Sequence, residues 1–205
     1  MVFVLPIIGS PDYPITRAIL NGRDTLIMRT LLCGVALALM AGGLGRAQYD
    51  HSVLEARVVT ATDAAHSNSI LKMAVVAQVA AGYHINDHKP SLDYLIPTEL
   101  KLEPSAEITV KGVVYPKGTL KKLAFSDSAL SVYEGKVVVG ALLQVAKGVP
   151  PGSYFVKGKF AYQACNDHAC LPPTSVPLEM TVRIVPRDVP LKQMDADVFQ
   201  RIQFE

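Results

Sequence analysis

Tryptophan is absent from all 205 residues, which rules out a strict antibody-type domain, where a tryptophan packs on a long-range disulfide. Cysteine is almost as scarce, with three in the whole chain, so no multi-bridge scaffold can be built. No apolar run reaches the roughly 20 residues that a membrane-spanning helix needs. Lysine and arginine nowhere cluster, so the electrostatic footprint of a nucleic-acid binder is missing.

The longest apolar run lies in "MRTLLCGVALALMAGGLGRAQ", opened by Met28, with one early cation at Arg29 and an apolar stretch from Leu31 to about Leu44. Gly45 and Ala47 occupy the small-residue positions of a cleavage site before Gln48. Residues 28–47 therefore read as a secretory signal peptide, and residues 1–27 as an upstream extension that is either untranslated or disordered. Arg17, Arg23, Arg29, Arg46, Asp12 and Asp24 all precede Gln48, so twenty basic and eighteen acidic residues become sixteen of each in the exported chain. Cys33 is removed with the signal, leaving Cys165 and Cys170 as one even pair where disulfides can form.

The remaining chain is long enough for one domain with a proper core, expected over residues 48–186, with a tail at 187–205. Short runs with alternating apolar residues mark strands at 71–79, 99–103, 107–115, 120–126, 136–145, 154–164 and 176–185. "YPKGT" and "VPPGS" supply proline-then-glycine turn chemistry between them. This pattern predicts an all-β antiparallel sandwich or barrel. Only "DADVFQRIQFE" is helical in character, with Val198, Ile202 and Phe204 on one face and Asp195 as a cap.

The two cysteines sit in "FAYQACNDHACLPPTSV", which admits three readings. As a clamp, the bridge closes only six residues, and loop-closure entropy gives it about 2 kcal/mol, against more than 4 for a loop of about 100 residues. As a redox couple, the pair needs access and a thiolate that can be stabilised. Small neighbours would expose sulfur, His168 when protonated would favour a thiolate, and Asp167 could orient the imidazole or take a proton. Pro172 and Pro173 stiffen the exit. As a metal site, Cys165, His168 and Cys170 would combine with His84 and His88 of "GYHINDHKP", although C-x4-C lies at the outer edge of zinc-pair spacing. His51 and His66 read as ordinary surface residues.

At "YQACNDHACLPPTSVPL" the chain resembles the N-terminal periplasmic domain of the DsbD thiol:disulfide reductases, a similarity that also takes in "GYHIN" and "VYEGKVVV" and runs from about Gly82 to Val185. The resemblance implies an immunoglobulin-like β-sandwich and a thiol:disulfide oxidoreductase role as an electron relay without metal or other cofactor. Its donor would be a membrane reductase acting through a thioredoxin-like protein or domain, its acceptors exported disulfide proteins, and its location the periplasm, without stable membrane insertion. Cys170 would then be the partner-facing sulfur and Cys165 its resolving mate. Tyr133, followed by Glu134 and Gly135, would be a cap ring on a glycine hinge; the plain alternative is a half-buried strand-end aromatic. Tyr83 and His84 would flank the site. The loop is one residue shorter than in the best-known members, and Ser131 and Val132 replace acidic cap residues, which leaves proton handling to Asp167, His168 or Glu134. The chain would be a detached module with its donor on another polypeptide. The alternative function is an exported binding or structural domain with a local disulfide, or a Cys/His metal domain.

Overall fold

The computed structural model describes residues 53–124 and 126–204. The expected upstream extension and signal peptide lie outside the described residues. Among the described residues no helix is long and apolar enough to cross a membrane.

Two four-stranded sheets form the body, and their sequences alternate as half-buried strands must. In the first, β1 (Leu54–Thr60), β3 (Ile70–Val79), β9 (Lys136–Val145) and β6 (Ile108–Val114) lie side by side in the order β1-β3-β9-β6, all antiparallel. The second has the order β2-β12-β10-β5, from Ala65–His66, Thr174–Val185, Gly152–Tyr162 and Glu99–Leu102. Its pairs are antiparallel apart from the two-residue parallel contact of β2 with β12. Leu71, Met73, Val75 and Val139 of the first sheet share one buried cluster with Val156, Phe160 and Val182 of the second. The protein is thus the all-β, immunoglobulin-like sandwich expected.

A third, smaller sheet carries the cysteines. Its order is β11 (Ala164–Cys165), β4 (His84–Asn86), β8 (Leu130–Tyr133) and β7 (Thr119–Lys121). None of these strands exceeds four residues, and two-to-four-residue segments leave little periodic signal. The strand expected at 120–126 accordingly ends at Lys121. The chain then turns, and Leu123 joins Leu95, Leu130 and Val132 in a separate buried cluster. β1 and β2 were not foreseen either.

The tail forms one helical turn, α1 (Ala196–Phe199). Val198 is buried with Val59, Ala74 and Val76, so the tail covers the outer side of the first sheet. Gly140 makes this possible: a Cβ there would come within 2.8 Å of Ile202 and Phe204. Asp195 does not cap the helix as expected. It adopts φ 45° with no side-chain cap bond, and its carboxylate instead lies 4.0 Å from Arg57.

Candidate thiol-disulfide site

β10 ends at Tyr162, and the chain re-enters pairing at once as β11, antiparallel to β4, with Ala164 opposite Ile85 and Cys165 opposite His84. Cys170 returns to face Cys165 directly. Leu171 N donates to Ala164 O at 2.8 Å and Asn166 N to Ala169 O at 2.9 Å, so the ladder bonds flank the cysteine pair. Opposed residues that do not exchange their own backbone bonds approach most closely, and the two Cα atoms lie 3.9 Å apart with the sulfurs bonded. Asn166 closes the loop, its Oδ1 accepting the amides of His168 and Ala169, each at 2.9 Å. This is the side-chain turn for which asparagine is suited.

The two sulfurs are not equivalent. Cys165 is 1% exposed and belongs to the interior, whereas Cys170 is exposed, as are Asp167, His168 and Ala169. Leu171 beside it is 39% exposed, which puts an apolar side chain at the rim. Gln163 Nε2 donates to Leu171 O at 3.2 Å and its Oε1 accepts from Asn86 at 3.4 Å; Asn86 also donates to Ile96 O at 2.9 Å. The returning segment is thereby fixed to β4 and to the loop before β5.

Successive strand residues point to opposite faces, so register assigns sides. Tyr133, Ile85 and Ala164 form one row. His84 and Cys165 form the next, on the other face. The His84 ring is 1% exposed. Burial lowers its pKa from the ordinary 6.5, the Lys121 ammonium lowers it further, and Glu134 and Asp167 pull the other way. Charging this ring in the folded state is therefore disfavoured. The unfolded chain takes up the proton first, so His84 costs stability as pH falls below about 6.5. Lys121 and Glu134 pair at 2.5 Å, with side chains 37% and 45% exposed.

Tyr133 was expected either as a cap ring or as a half-buried strand-end aromatic. The residue is a buried strand end, 5% exposed, in the row facing the main core, and its hydroxyl donates to Asp87 Oδ1 at 2.5 Å while accepting from His88 N at 3.3 Å. Gly135 has the positive φ, 59°, that suits glycine, but its carbonyl accepts Val79 N at 2.8 Å, so it is an anchored turn. Tyr83 is half-buried against the main core. His88 stacks on Tyr115 with ring centroids 3.7 Å apart, and its Nδ1 is 3.1 Å from Thr98 O. Among the described residues no group of three or more His, Cys, Asp or Glu side chains is placed to hold a metal ion. Lys121, Gln163 and Asp87 were not anticipated, and Asn166 was expected only as a small neighbour of the sulfurs. Only Asn166, a turn former just after a cysteine, left a readable signal.

Burial raises the Asp87 pKa, but hydrogen bonds from Ser131, Tyr133 and the backbone of Lys89 and His88 outweigh it, and the net shift is downward. Burial and the bond to Asp87 push the Tyr133 hydroxyl pKa up. A group with a depressed carboxyl pKa stabilises the fold above the unfolded-state value and loses that contribution as pH falls through the folded value. Tyr133→Phe should cost about 1.5–3 kcal/mol near neutral pH, the range for hydrogen bonds to charged groups. In urea titrations the gap to wild type should narrow as acid protonates Asp87; a gap unchanged with pH would contradict this linkage.

An exposed sulfur bonded to an enclosed one is an arrangement that thiol-disulfide exchange can use, since one sulfur is open to an incoming thiolate and the other is positioned to resolve. The chain belongs to the family of the thiol:disulfide interchange protein DsbD, N-terminal domain, whose profile matches residues 52–180. Among solved structures, it is similar to the N-terminal periplasmic domain of ScsB from Proteus mirabilis, at 15% identity and TM-score 0.48, over 68% of this chain and 51% of that one. It is also similar to the reduced DsbD N-terminal domain of Neisseria meningitidis, at 20% identity and TM-score 0.37, over 60% of this chain and 89% of that one. A further match is the complex of the DsbD and PilB N-terminal domains of Neisseria meningitidis, at 20% identity and TM-score 0.37, over 63% and 88%. The chain spans about half the length of the ScsB chain. No curated protein matches it.

Proposed function

We propose that this domain relays reducing equivalents in the periplasm, taking electrons from a membrane reductase through a thioredoxin-like protein or domain and passing them to exported disulfide proteins. The observation that carries this is the asymmetry of the pair, Cys165 enclosed and Cys170 exposed. A donor thiolate reaches Cys170 Sγ, forms a mixed disulfide, and expels Cys165 as thiolate; the donor's second thiol then breaks the mixed bond and frees Cys170. Two electrons have entered the pair. In the reverse sense Cys170 thiolate attacks an acceptor disulfide, and Cys165 closes on Cys170 to release the acceptor reduced. Export by the leader beginning near Met28 would bring the domain to its partners.

Reduced Cys165→Ser protein mixed with a thioredoxin-like protein whose resolving cysteine is replaced by serine and whose remaining cysteine carries a nitrothiobenzoate leaving group tests the relay. A stable one-to-one adduct through Cys170, visible on non-reducing gels and by mass, is expected because neither side retains a thiol to resolve it. Absence of that adduct, with Cys170 demonstrably reduced, would contradict the assignment.

A further inference from the structure

Closing the disulfide requires a thiolate on Cys165, yet burial disfavours the charged sulfur. An enclosed thiol, 1% exposed, has no solvent to take its proton. Of the three groups to which sequence reasoning left proton handling, Asp167 and His168 are exposed in the loop, and Glu134 is engaged with Lys121. His84 is directly opposite Cys165 across β4 and β11, equally enclosed. Opposed residues of an antiparallel pair hold their Cβ atoms about 4.5–5.5 Å apart on the same face, which makes the imidazole the neighbour of the sulfur.

We propose that His84 is the proton acceptor for Cys165, its neutral imidazole taking the thiol proton as Cys165 attacks Cys170, passing it on to the departing thiolate, and supplying a proton to Cys165 when the pair is reduced. This inference rests on the exchange reading above. With glutathione disulfide as the partner, Cys170 thiolate forms a bond to one glutathione sulfur and the other leaves as thiolate. The Cys165 proton then passes to the His84 ring, the Cys165–Cys170 bond forms, and the second glutathione leaves as thiolate and takes up the proton. Two electrons move from the protein pair to glutathione, and no further reagent is required.

Three charges face the ring: Lys121 of β7, Glu134 after β8 and Asp167 of the cysteine loop. They give the proposal a direction of effect. The ring must be uncharged to accept a proton, so removing the cation should let it protonate at higher pH, and removing the Glu134 carboxylate should do the reverse.

The experiment follows release of the second glutathione from protein carrying glutathione on Cys170, by stopped flow from pH 5 to 9. Wild type should resolve with an acid-side inflection. His84→Gln should slow resolution about a hundredfold at pH 7, the lower end of the scale of lost general-base catalysis, and lose that inflection. In Lys121→Gln the inflection should move to higher pH and in Glu134→Gln to lower pH; both substitutions are at partly exposed positions, so they carry the test even if His84→Gln does not fold. Wild-type rates and pH profile in folded His84→Gln, or an inflection unmoved in both charge variants, would overturn the role of His84 alone. Wild-type protein that never resolves the adduct would overturn the exchange reading along with it.

Discussion

In reduced Cys165→Ser protein, the remaining thiol at Cys170 is expected to react with iodoacetamide at least about a hundredfold faster than the thiol at Cys165 does in reduced Cys170→Ser protein. Cys170 is exposed and meets the reagent directly. Cys165 is 1% exposed and reacts only when the local structure opens. An opening that costs about 3 kcal/mol suppresses a rate by roughly two powers of ten. His84 does not reverse the order, since a base beside an inaccessible sulfur cannot deliver the reagent to it. Second-order alkylation rates followed by mass spectrometry at pH 7.5 provide the measurement. Equal rates, or a faster Cys165, would mean that partners are not met by Cys170.

The largest loss of stability is expected from Phe160→Ala. Among the described residues Phe160 is the largest of the fully buried side chains, 0% exposed, and is paired through β10 with Leu100 of β5 and Val176 of β12. Its ring is 6.4 Å from that of Tyr162, the last residue of β10, and the cysteine segment begins two residues further on. Truncating an enclosed phenylalanine removes its transfer energy and leaves a cavity, together about 3–5 kcal/mol. That is a large share of the roughly 5–15 kcal/mol by which such domains are stable. In a domain of this size the thermal midpoint should fall on the order of 10 °C. A loss under about 1 kcal/mol in denaturant titration would show that the packing between the sheets is looser than described.

The long strands were legible because their alternation persists over ten or more residues, as in "KVVVGALLQV" of β9 and "YFVKGKFAYQ" through β10. Their length allows a period to be read against noise. The site's own sheet was not legible: β4 is three residues, all buried, and β11 is two, so neither shows alternation. The cysteines were found from composition and spacing, while their inequality depended on what packs around the loop. Tyr133 shows the limit of motif reasoning. An aromatic just ahead of a glycine marked the correct turn, but the side of the sheet that the ring occupies is set by its register with Ile85, which no local pattern carries. His84 was noticed as a metal-ligand candidate and as a neighbour of the site, and its pairing with Cys165 is likewise a matter of register between segments 81 residues apart in sequence.

Equilibrium titration of the Cys165–Cys170 couple against defined thiol-disulfide buffers, read by alkylation and mass, tests the central claim most directly. The account predicts reversible opening and closing at a potential among those of exchange proteins, about −120 to −270 mV. A couple that stays shut below about −300 mV, as structural bridges do, would contradict it.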